Sequence, residues 1–561
     1  MSKFRFRTIA SAAAFVGAWS FSTCGSAAVG DIWGGGASVI APYWRQMLDC
    51  LAEPTALITK ATPPTFTTEA AFDYLGKAGK GAQNCATTHL NTSFTAYYIS
   101  ATSGTGILAQ FSHDPTLWGF VNAGDTQYAP SVQYNLSETP LSSTDVFTYD
   151  NGGTETQGSS HVVVVAPGVT PSAGQYGNPK QLYGPLVQFP VSIDPLAIAY
   201  NPIYEKTSAG PSYRFNIQYP RANGSGGLRL SAATYCKIFN GQITNWNNPA
   251  LTAANGNVSL EDPNDPTPAA SWSVPLQIVG RGDSAGTTST LTRHLATICS
   301  AYISGNNYST GTSTLPAVMQ GPAYNSTNAN YPAVAGETLG RFTLATGNSG
   351  VAKYVAFTAT PGGSNPSTII QGRIAYLGND YVLPNVGATQ SNTYNLASAT
   401  LQNSLKQWVA PTPTSAAAAF ASILPPQSNA SGGYAPSNTA NGLRVNPQDW
   451  VQSSTPTALL ANPVHTNSYP IVGTANFLGY TCYQTSQETA STLSALNYLY
   501  KALIATDPKN GILGSAGVSP LPVAWRTAIL GTFINNSNGL GLNVETAGAR
   551  GACSVSGVSG G

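Results

Sequence analysis

The residues best suited to chemistry lie in one run, Val279-Gly280-Arg281-Gly282-Asp283-Ser284-Ala285-Gly286-Thr287-Thr288-Ser289-Thr290-Leu291. An apolar strand-like stretch, Leu276–Val279, leads into it, and Leu291, Leu295 and Ile298 share one face of a helical pattern after it. Between them lies a small-residue turn with hydroxyls at the helix start. A helix N-terminus presents unbonded backbone N–H groups and the positive end of the peptide dipoles. Small residues let an anion come close to those groups. Arg281 adds a planar, two-pronged donor, and Asp283 stands two residues on, where it can hold the guanidinium. The expected guest is a tetrahedral oxyanion.

The same residues allow other chemistry. Gly282-Asp283-Ser284-Ala285-Gly286 satisfies the G-x-S-x-G pattern of a nucleophile elbow and resembles the G-D-S-G-G of trypsin-like proteases. A hydrolase needs a base in reach, yet none of His89, His113, His161, His294 and His465 sits in a recognisable partner motif. His294 lies two turns along the following helix. Arg281-Gly282-Asp283 spells an adhesion tripeptide, but its place in the expected cleft argues against that use. No Cys-x-x-Cys pair or His cluster has metal spacing, so neither a zinc site nor a cofactor is expected.

Composition narrows the setting. The chain has 561 residues and is 42% apolar, enough for two or more domains with large cores. Lys3, Arg5 and Arg7, the apolar run Ile9–Phe21 and the small residues Ser26-Ala27-Ala28 read as an export signal over residues 1–28. Without Lys3, Arg5 and Arg7, the 24 Lys and Arg become 21 against 23 Asp and Glu, so a nucleic-acid footprint is not expected. Charged residues make up 8% of the chain, where about 25% is usual. Such a surface has little self-repulsion to oppose association. No later stretch is apolar for long enough to span a bilayer.

The elements that must hold the site alternate between helix and strand. Helical patterns cover Tyr43–Ala52, Thr288–Ser300 and Glu488–Ala505. Strand patterns cover Ala96–Ile99, His161–Ala166, Leu186–Ile193, Leu196–Tyr200, Leu276–Val279, Ile374–Leu377 and Ala475–Tyr480. This order argues for α/β layers. Residues 142–180, 303–336 and 384–468 read by composition as inserted surface segments.

At this point a resemblance becomes specific. The run from Arg281 resembles the R-x-D-x-S-G-T-[ST] motif of periplasmic phosphate-binding proteins, the receptors of phosphate ABC importers. Gly34-Gly35-Gly36-Ala37-Ser38-Val39-Ile40-Ala41-Pro42 resembles that family's N-terminal G-A-G-A-T-F-P-A-P. Tyr98–Gly106 resembles Y-x-G-x-G-S-x-G-G, and Ser137-Glu138-Thr139-Pro140-Leu141 resembles S-D-x-P-L. Phe189–Asn201 and Tyr469–Val472 resemble the two crossover strands. Ile238–Asn247 is similar to I-[FY]-x-G-x-I-x-x-W-[ND], and Gly347–Ala352 to G-N-[DE]-G-[IV]-A. The motifs come in family order.

The resemblance implies a two-domain periplasmic-binding-protein-like (Venus-flytrap) α/β fold with two crossover strands and long surface inserts. Domain I is expected over 29–190 plus 473–561, and domain II over 191–472. Inorganic phosphate is the implied ligand. Ser38, Val39, Ser103 and Glu138 would hold it from one domain, and Arg281, Asp283, Gly286 and Thr287 from the other. Glu138 stands where the family has Asp. It would accept the proton of a protonated phosphate and reject sulfate, although the extra methylene could instead favour a larger oxyanion such as arsenate. Ala285 stands where the family has Ser, which removes a hydrogen bond worth about 1.5–3 kcal/mol to a charged partner. Chain order and this domain layout favour the disulfides Cys50–Cys85, Cys236–Cys299 and Cys482–Cys553 among fifteen pairings. The implied setting is periplasmic or extracellular, with an ABC transporter as a potential partner. Two alternatives stay open: an extracellular filament or matrix subunit that self-associates, and an extracellular phosphatase.

Overall fold

The computed structural model describes residues 31–53, 56–58, 66–68, 91–119, 128–207, 212–219, 227–303, 342–356, 368–370, 372–383, 394, 396–421, 423–426, 447–451, 459–503, 512–537, 539, 541–549, 551–554 and 558–561. The expected export signal and nearly all of 303–336 lie outside these residues.

One large mixed sheet organises the chain. In chain order its strands are β1 (Ile32–Ala37), β2 (Ala52–Glu53), β3 (Asn91–Ala101), β4 (Tyr134–Ser137), β5 (Leu186–Tyr200), β6 (Leu276–Arg281), β7 (Phe342–Ala345), β8 (Gly372–Gly378), β9 (Val382–Leu383), β10 (Leu396–Ser398) and β11 (Val472–Tyr480). The spatial order is β7-β6-β8-β5-β11-β4-β1-β3-β2, with β9 and β10 attached beside β5. The helices that matter for the site are α1 (Ala41–Leu51), α2 (Ser103–Ser112), α3 (Gly286–Ile298) and α4 (Gly347–Val355).

Two parallel blocks are joined through antiparallel long strands. On one side β1 runs parallel to β3 and β4, with Ile32 opposite Ala96 and Gly34 opposite Tyr134. On the other, β6 runs parallel to β7 and β8, with Leu276 opposite Gly372. The 15-residue strand β5 links them. Its first part pairs antiparallel with β11 from Leu186–Tyr480 to Pro195–Val472, and its last part pairs with β8 from Leu196–Gly378 to Tyr200–Ile374. The sequence suggested two strands here, Leu186–Ile193 and Leu196–Tyr200, with Asp194 and Pro195 between them. The structure makes one, because every residue from Leu186 to Tyr200 is buried and the register shift at Pro190–Ser192 absorbs the irregularity.

The core is aromatic and continuous. Tyr134, Phe477, Phe189 and Phe533 form a run of rings with centroids 5.7, 5.0 and 4.7 Å apart. Trp44, Trp246, Trp450 and Trp525 are fully buried in the same apolar cluster. This packing fixes the strand ends. Ala37, Ala101, Ser137 and Arg281 each close a strand, and the loops that follow them gather at the carboxyl edge, where ligands of open α/β sheets sit.

Two of the expected surface segments are more structured than their composition suggested. Residues 142–180 contain a helix, Ser143–Asn151, with a Ser142–Asp145 capping box, and a hairpin of Gly153–Gln157 with Ser160–Val164. Val162 and Val164 are buried against α2 residues such as Phe111. The surface reading of 384–468 is corrected more strongly. Thr412 and Ser415 make a capping box for the helix Pro413–Phe420, and Ala416, Ala419, Phe420, Trp450 and Tyr469 join the main core. The Pro there sits at the first helical position, where its missing N–H costs nothing.

Two disulfides form as expected. Cys236–Cys299 joins the helix Ala232–Phe239 to the end of α3, and Cys482–Cys553 ties the return strand to the tail, each with Cα atoms 5.5 Å apart. The third expected pair, Cys50–Cys85, lies outside the described residues. The Cys236–Cys299 bond closes a 63-residue separation. Replacing both cysteines by Ala should lower unfolding free energy by about 2–4 kcal/mol in denaturant titration without preventing folding.

Candidate functional site

Each expected ligand residue sits at the end of a strand or the start of a helix. Ser38 and Val39 lie in the turn between β1 and α1. Ser103 is the first residue of α2, behind the N-cap Thr102, whose side chain bonds the Thr105 N–H at 3.1 Å. Glu138 follows β4 directly. Arg281 ends β6, and Gly286 and Thr287 open α3. All but the partly exposed Ser38 and Asp283 are buried.

The helix α3 starts without a side-chain cap, because Ala285 occupies the N-cap position. Its first amides therefore look outward for a partner. The Thr287 amide donates to the Glu138 carboxylate. The Glu138 amide in turn donates to Ser103 Oγ at 3.3 Å. A small residue at 286 permits this approach. A Cβ added to Gly286 would overlap Glu138 Cβ and stand 2.6 Å from Ser103 Oγ. Nearby, the Gly104 N–H donates to the Ser284 carbonyl at 3.3 Å, so the start of α2 and the loop before α3 touch through backbone.

Arg281 is almost completely enclosed and needs compensation for its lost water. Its Nε donates to Asp283 Oδ1 at 2.8 Å, and Nη2 pairs with Asp283 Oδ2. Nη1 donates to Thr287 Oγ1 at 3.0 Å and to Asn348 Oδ1 at 3.4 Å. Asp283 Oδ1 also accepts the Gly347 N–H at 3.1 Å. Although burial alone would raise it, the bonds and charge of Arg281 hold the Asp283 carboxyl below its ordinary range. Asn348 Nδ2 lies 3.5 Å from Ser38 Oγ and so connects this cluster to the β1–α1 turn. Val39 packs against the end of β8, since a Cβ at Gly378 would overlap Val39 Cγ2 and lie 2.7 Å from Asp380 Oδ1.

The structure thus connects Ser103, Glu138, Arg281, Asp283, Gly286 and Thr287, and Asn348 extends the set to Ser38, which Val39 follows in the chain. It also adds residues that sequence reasoning passed over. Asn348 was visible within the Gly347–Ala352 motif but had no assigned role. Tyr376 accepts through its hydroxyl from the Arg281 N–H at 3.0 Å and shares a hydrogen bond with Thr288 Oγ1 at 2.8 Å. Asp194 and Asp380 stand near Glu138 from β5 and from the turn after β8. Nothing in their local sequence marks them, because only the pairing of β5 with β8 brings them together.

The electrostatic balance is unusual. Burial pushes the Glu138 carboxyl well above the ordinary carboxylate range, and Asp194 and Asp380 push it further, against the opposing pull of Arg281 and the Thr287 amide. Burial also raises Asp194 to about 7, with Ser192 opposing. Such sites favour an uncharged or proton-sharing state.

Beside this set opens a cavity of about 520 Å³, bordered by Thr102, Thr105, Gln157, Ser160, Asp283 and Ser284. The turn of the 153–164 hairpin forms its outer wall. His113 contacts Tyr480 and Ser131, and His294 contacts Tyr235 and the Ala461 carbonyl. His294 is buried and His113 partly buried. Among the described residues, no group of three or more His, Cys, Asp or Glu is arranged to hold a metal ion.

Comparison with known proteins agrees with this architecture. Residues 156–426 match the PBP superfamily domain. The chain is 24% identical over 450 residues to alkaline phosphatase L of Pseudomonas aeruginosa, covering 79% of this chain and 84% of that protein. It is 24% identical over 338 residues to a phosphate-binding protein of an unknown prokaryotic organism, covering 59% and 74% respectively. The crystal structure of an ancestral soluble variant of the human phosphate-binding protein superposes with a TM-score of 0.53 at 20% identity, covering 94% of this chain and 98% of that one. The chain shares the α/β fold of these solved phosphate-binding proteins.

Gly286 offers a direct check on the contact between the two sets of loops. Gly286→Ala should leave the far-ultraviolet circular dichroism unchanged, because the residue lies at a helix start. It should reduce oxyanion affinity at least 100-fold in calorimetry, because the added methyl displaces Glu138 and Ser103.

Proposed function

We propose that this protein binds inorganic phosphate, without covalent chemistry, in the cleft where the loops after β1, β3, β4 and β6 meet. The observation that carries this reading is the Arg281 guanidinium, clamped by Asp283 and aimed with Nη1 at the start of an uncapped helix. Hydroxyls of Ser38, Ser103 and Thr287 and amides of Val39, Gly286 and Thr287 would donate to the phosphate oxygens. Glu138 would move from the Thr287 amide to accept a proton carried by the ligand. Its side chain accepts the Thr287 amide in this structure, a bond that a bound phosphate would take over.

The relatives named as phosphate-binding proteins support the choice of ligand. Residues 29–190 with 473–561 would form one lobe and 191–472 the other, hinged at β5 and β11. Closure removes water from the ion and strengthens each charged contact. The expected export signal would place the protein in the periplasm or outside the cell, with a membrane ABC transporter as acceptor of the ion.

A second reading, phosphomonoester hydrolysis, is favoured by the relative named alkaline phosphatase L and by the cavity beside Asp283 and Ser284. That space could hold an ester substituent. Against it, His294 is buried and His113 partly buried, both are bonded elsewhere, and desolvation holds both at about 4, which suits neither as a base for Ser284. The two readings separate on turnover. Stoichiometric binding of phosphate with no release from p-nitrophenyl phosphate supports the binder, whereas sustained release that is lost in Ser284→Ala supports the enzyme.

Arg281→Ala should cost phosphate affinity at least 100-fold by calorimetry, since it removes a buried, charge-assisted donor. Unchanged affinity would overturn the assignment. In alkaline buffer, phosphate should displace sulfate through Glu138, because sulfate brings no proton to a buried carboxylate. Equal binding of the two anions there would count against that role.

A further inference from the structure

Three carboxyl groups from three separate segments converge behind the candidate site. Glu138 follows β4, Asp194 lies within β5, and Asp380 follows β8. The antiparallel pairing of β5 with β8 ends at Leu196 opposite Gly378. Asp194 lies two residues before Leu196, and Asp380 lies two residues after Gly378 in the short 3-10 turn Asn379–Tyr381, so both sit near the end of that pairing. Both lie close enough to Glu138 to act on its charge.

The cluster is enclosed and short of donors. Asp380 is 1% exposed, and its carboxylate oxygens have no side-chain partner among the described residues, its own backbone N–H being the donor that offsets part of the burial. Asp194 is 5% exposed, its Oδ2 is also without a partner, and its Oδ1 accepts from Ser192 Oγ at 2.6 Å. Ser192 Oγ is in turn 2.7 Å from the Tyr43 hydroxyl on α1. The groups facing the trio from each packed element are Tyr43 of α1, Tyr98 of β3 and Arg281 of β6. Arg281 is the one cation among them, and Asp283 already neutralises it. Three ionised carboxylates cannot share this space with an anion in low dielectric unless protons intervene. Their titration is therefore a property of the set.

We propose that Asp194 and Asp380 are specificity-determining residues that set the proton occupancy of Glu138, so that the cleft excludes fully ionised oxyanions only when the trio has lost its shared protons. The inference rests on the oxyanion-binding reading above. With the trio deprotonated, Glu138 accepts a hydrogen bond and therefore requires a guest that carries a proton, as phosphate does. With the trio protonated, Glu138 donates, and sulfate fits as well. Selectivity for phosphate over sulfate then rises with pH, which is the reverse of what a simple cationic site would show.

The experiment is competition of sulfate against phosphate, read by calorimetry across a pH series in the wild type, Asp194→Asn and Asp380→Asn. In the wild type, sulfate should compete at low pH and lose to phosphate as the pH rises and Glu138, whose carboxyl burial holds well above the ordinary carboxylate range, gives up its proton. Removing either second-carboxylate charge makes Glu138 easier to ionise, so the onset should move down by about one pH unit or more in each variant. Asp380→Glu should restore the wild-type profile. A midpoint that stays fixed in both Asn variants, or selectivity independent of pH, overturns the proposal while phosphate binding itself survives. Failure of the wild type to bind phosphate at any pH overturns the binding reading and this one together.

A ligand-independent measurement guards against variants that merely fold badly. The folded carboxyls hold protons more tightly than the unfolded chain does. Stability of the unliganded protein should therefore fall as pH rises from about 4 through about 7. Thermal midpoints should show that fall in the wild type and a shallower one in Asp194→Asn and Asp380→Asn. Equal slopes in all three would show that the trio is not coupled.

Discussion

Burying a guanidinium is the interaction on which this site depends. Arg281 loses nearly all its water, and a charge in that position destabilises the fold unless it is paired and hydrogen-bonded. Asp283 supplies the pair, and Thr287 and Asn348 accept from the remaining edge. Each of these partners belongs to a different turn, so satisfying one cation fixes the loop before α3, the first turn of α3 and the start of α4 relative to one another. The second set of loops is then drawn in by the uncapped α3 amides, which Glu138 satisfies.

That arrangement leaves negative charge in excess. Arg281 is cancelled by Asp283, while Glu138, Asp194 and Asp380 remain without a cation of their own. A typical anion receptor would surround its guest with donors alone. Here donors and carboxyls are interleaved, and burial raises the Glu138 and Asp194 carboxyls. The low overall charge of the chain accords with this design: 8% charged residues give little background field, so the local groups govern what enters.

The scaffold meets the demand for precise placement through its sheet. Strands β5 and β11 pass through the middle of the sheet and pair with each other, so the parallel blocks on either side share one aromatic core. The hairpin Gly153–Val164 packs on α2 and borders the cavity, which links an apparently decorative insertion to the mouth of the cleft.

The sequence by itself determined the local pieces: the strand–turn–helix around Arg281, the glycine that must be small at 286, the even set of cysteines, and the order of α and β segments. These are legible because hydrophobic period, turn residues and helix-start chemistry act over a few neighbours. Residues 413–420 misled because an Ala, Ser and Pro-rich tract looks like surface until Phe420 and Trp450 find Trp525. Only the tertiary structure decided that Glu138 would meet the Thr287 amide, and that Asp194 and Asp380 would stand behind it. Those meetings follow from strand register between segments nearly 200 residues apart, and register is fixed by the packing of the whole sheet rather than by any stretch that pairs.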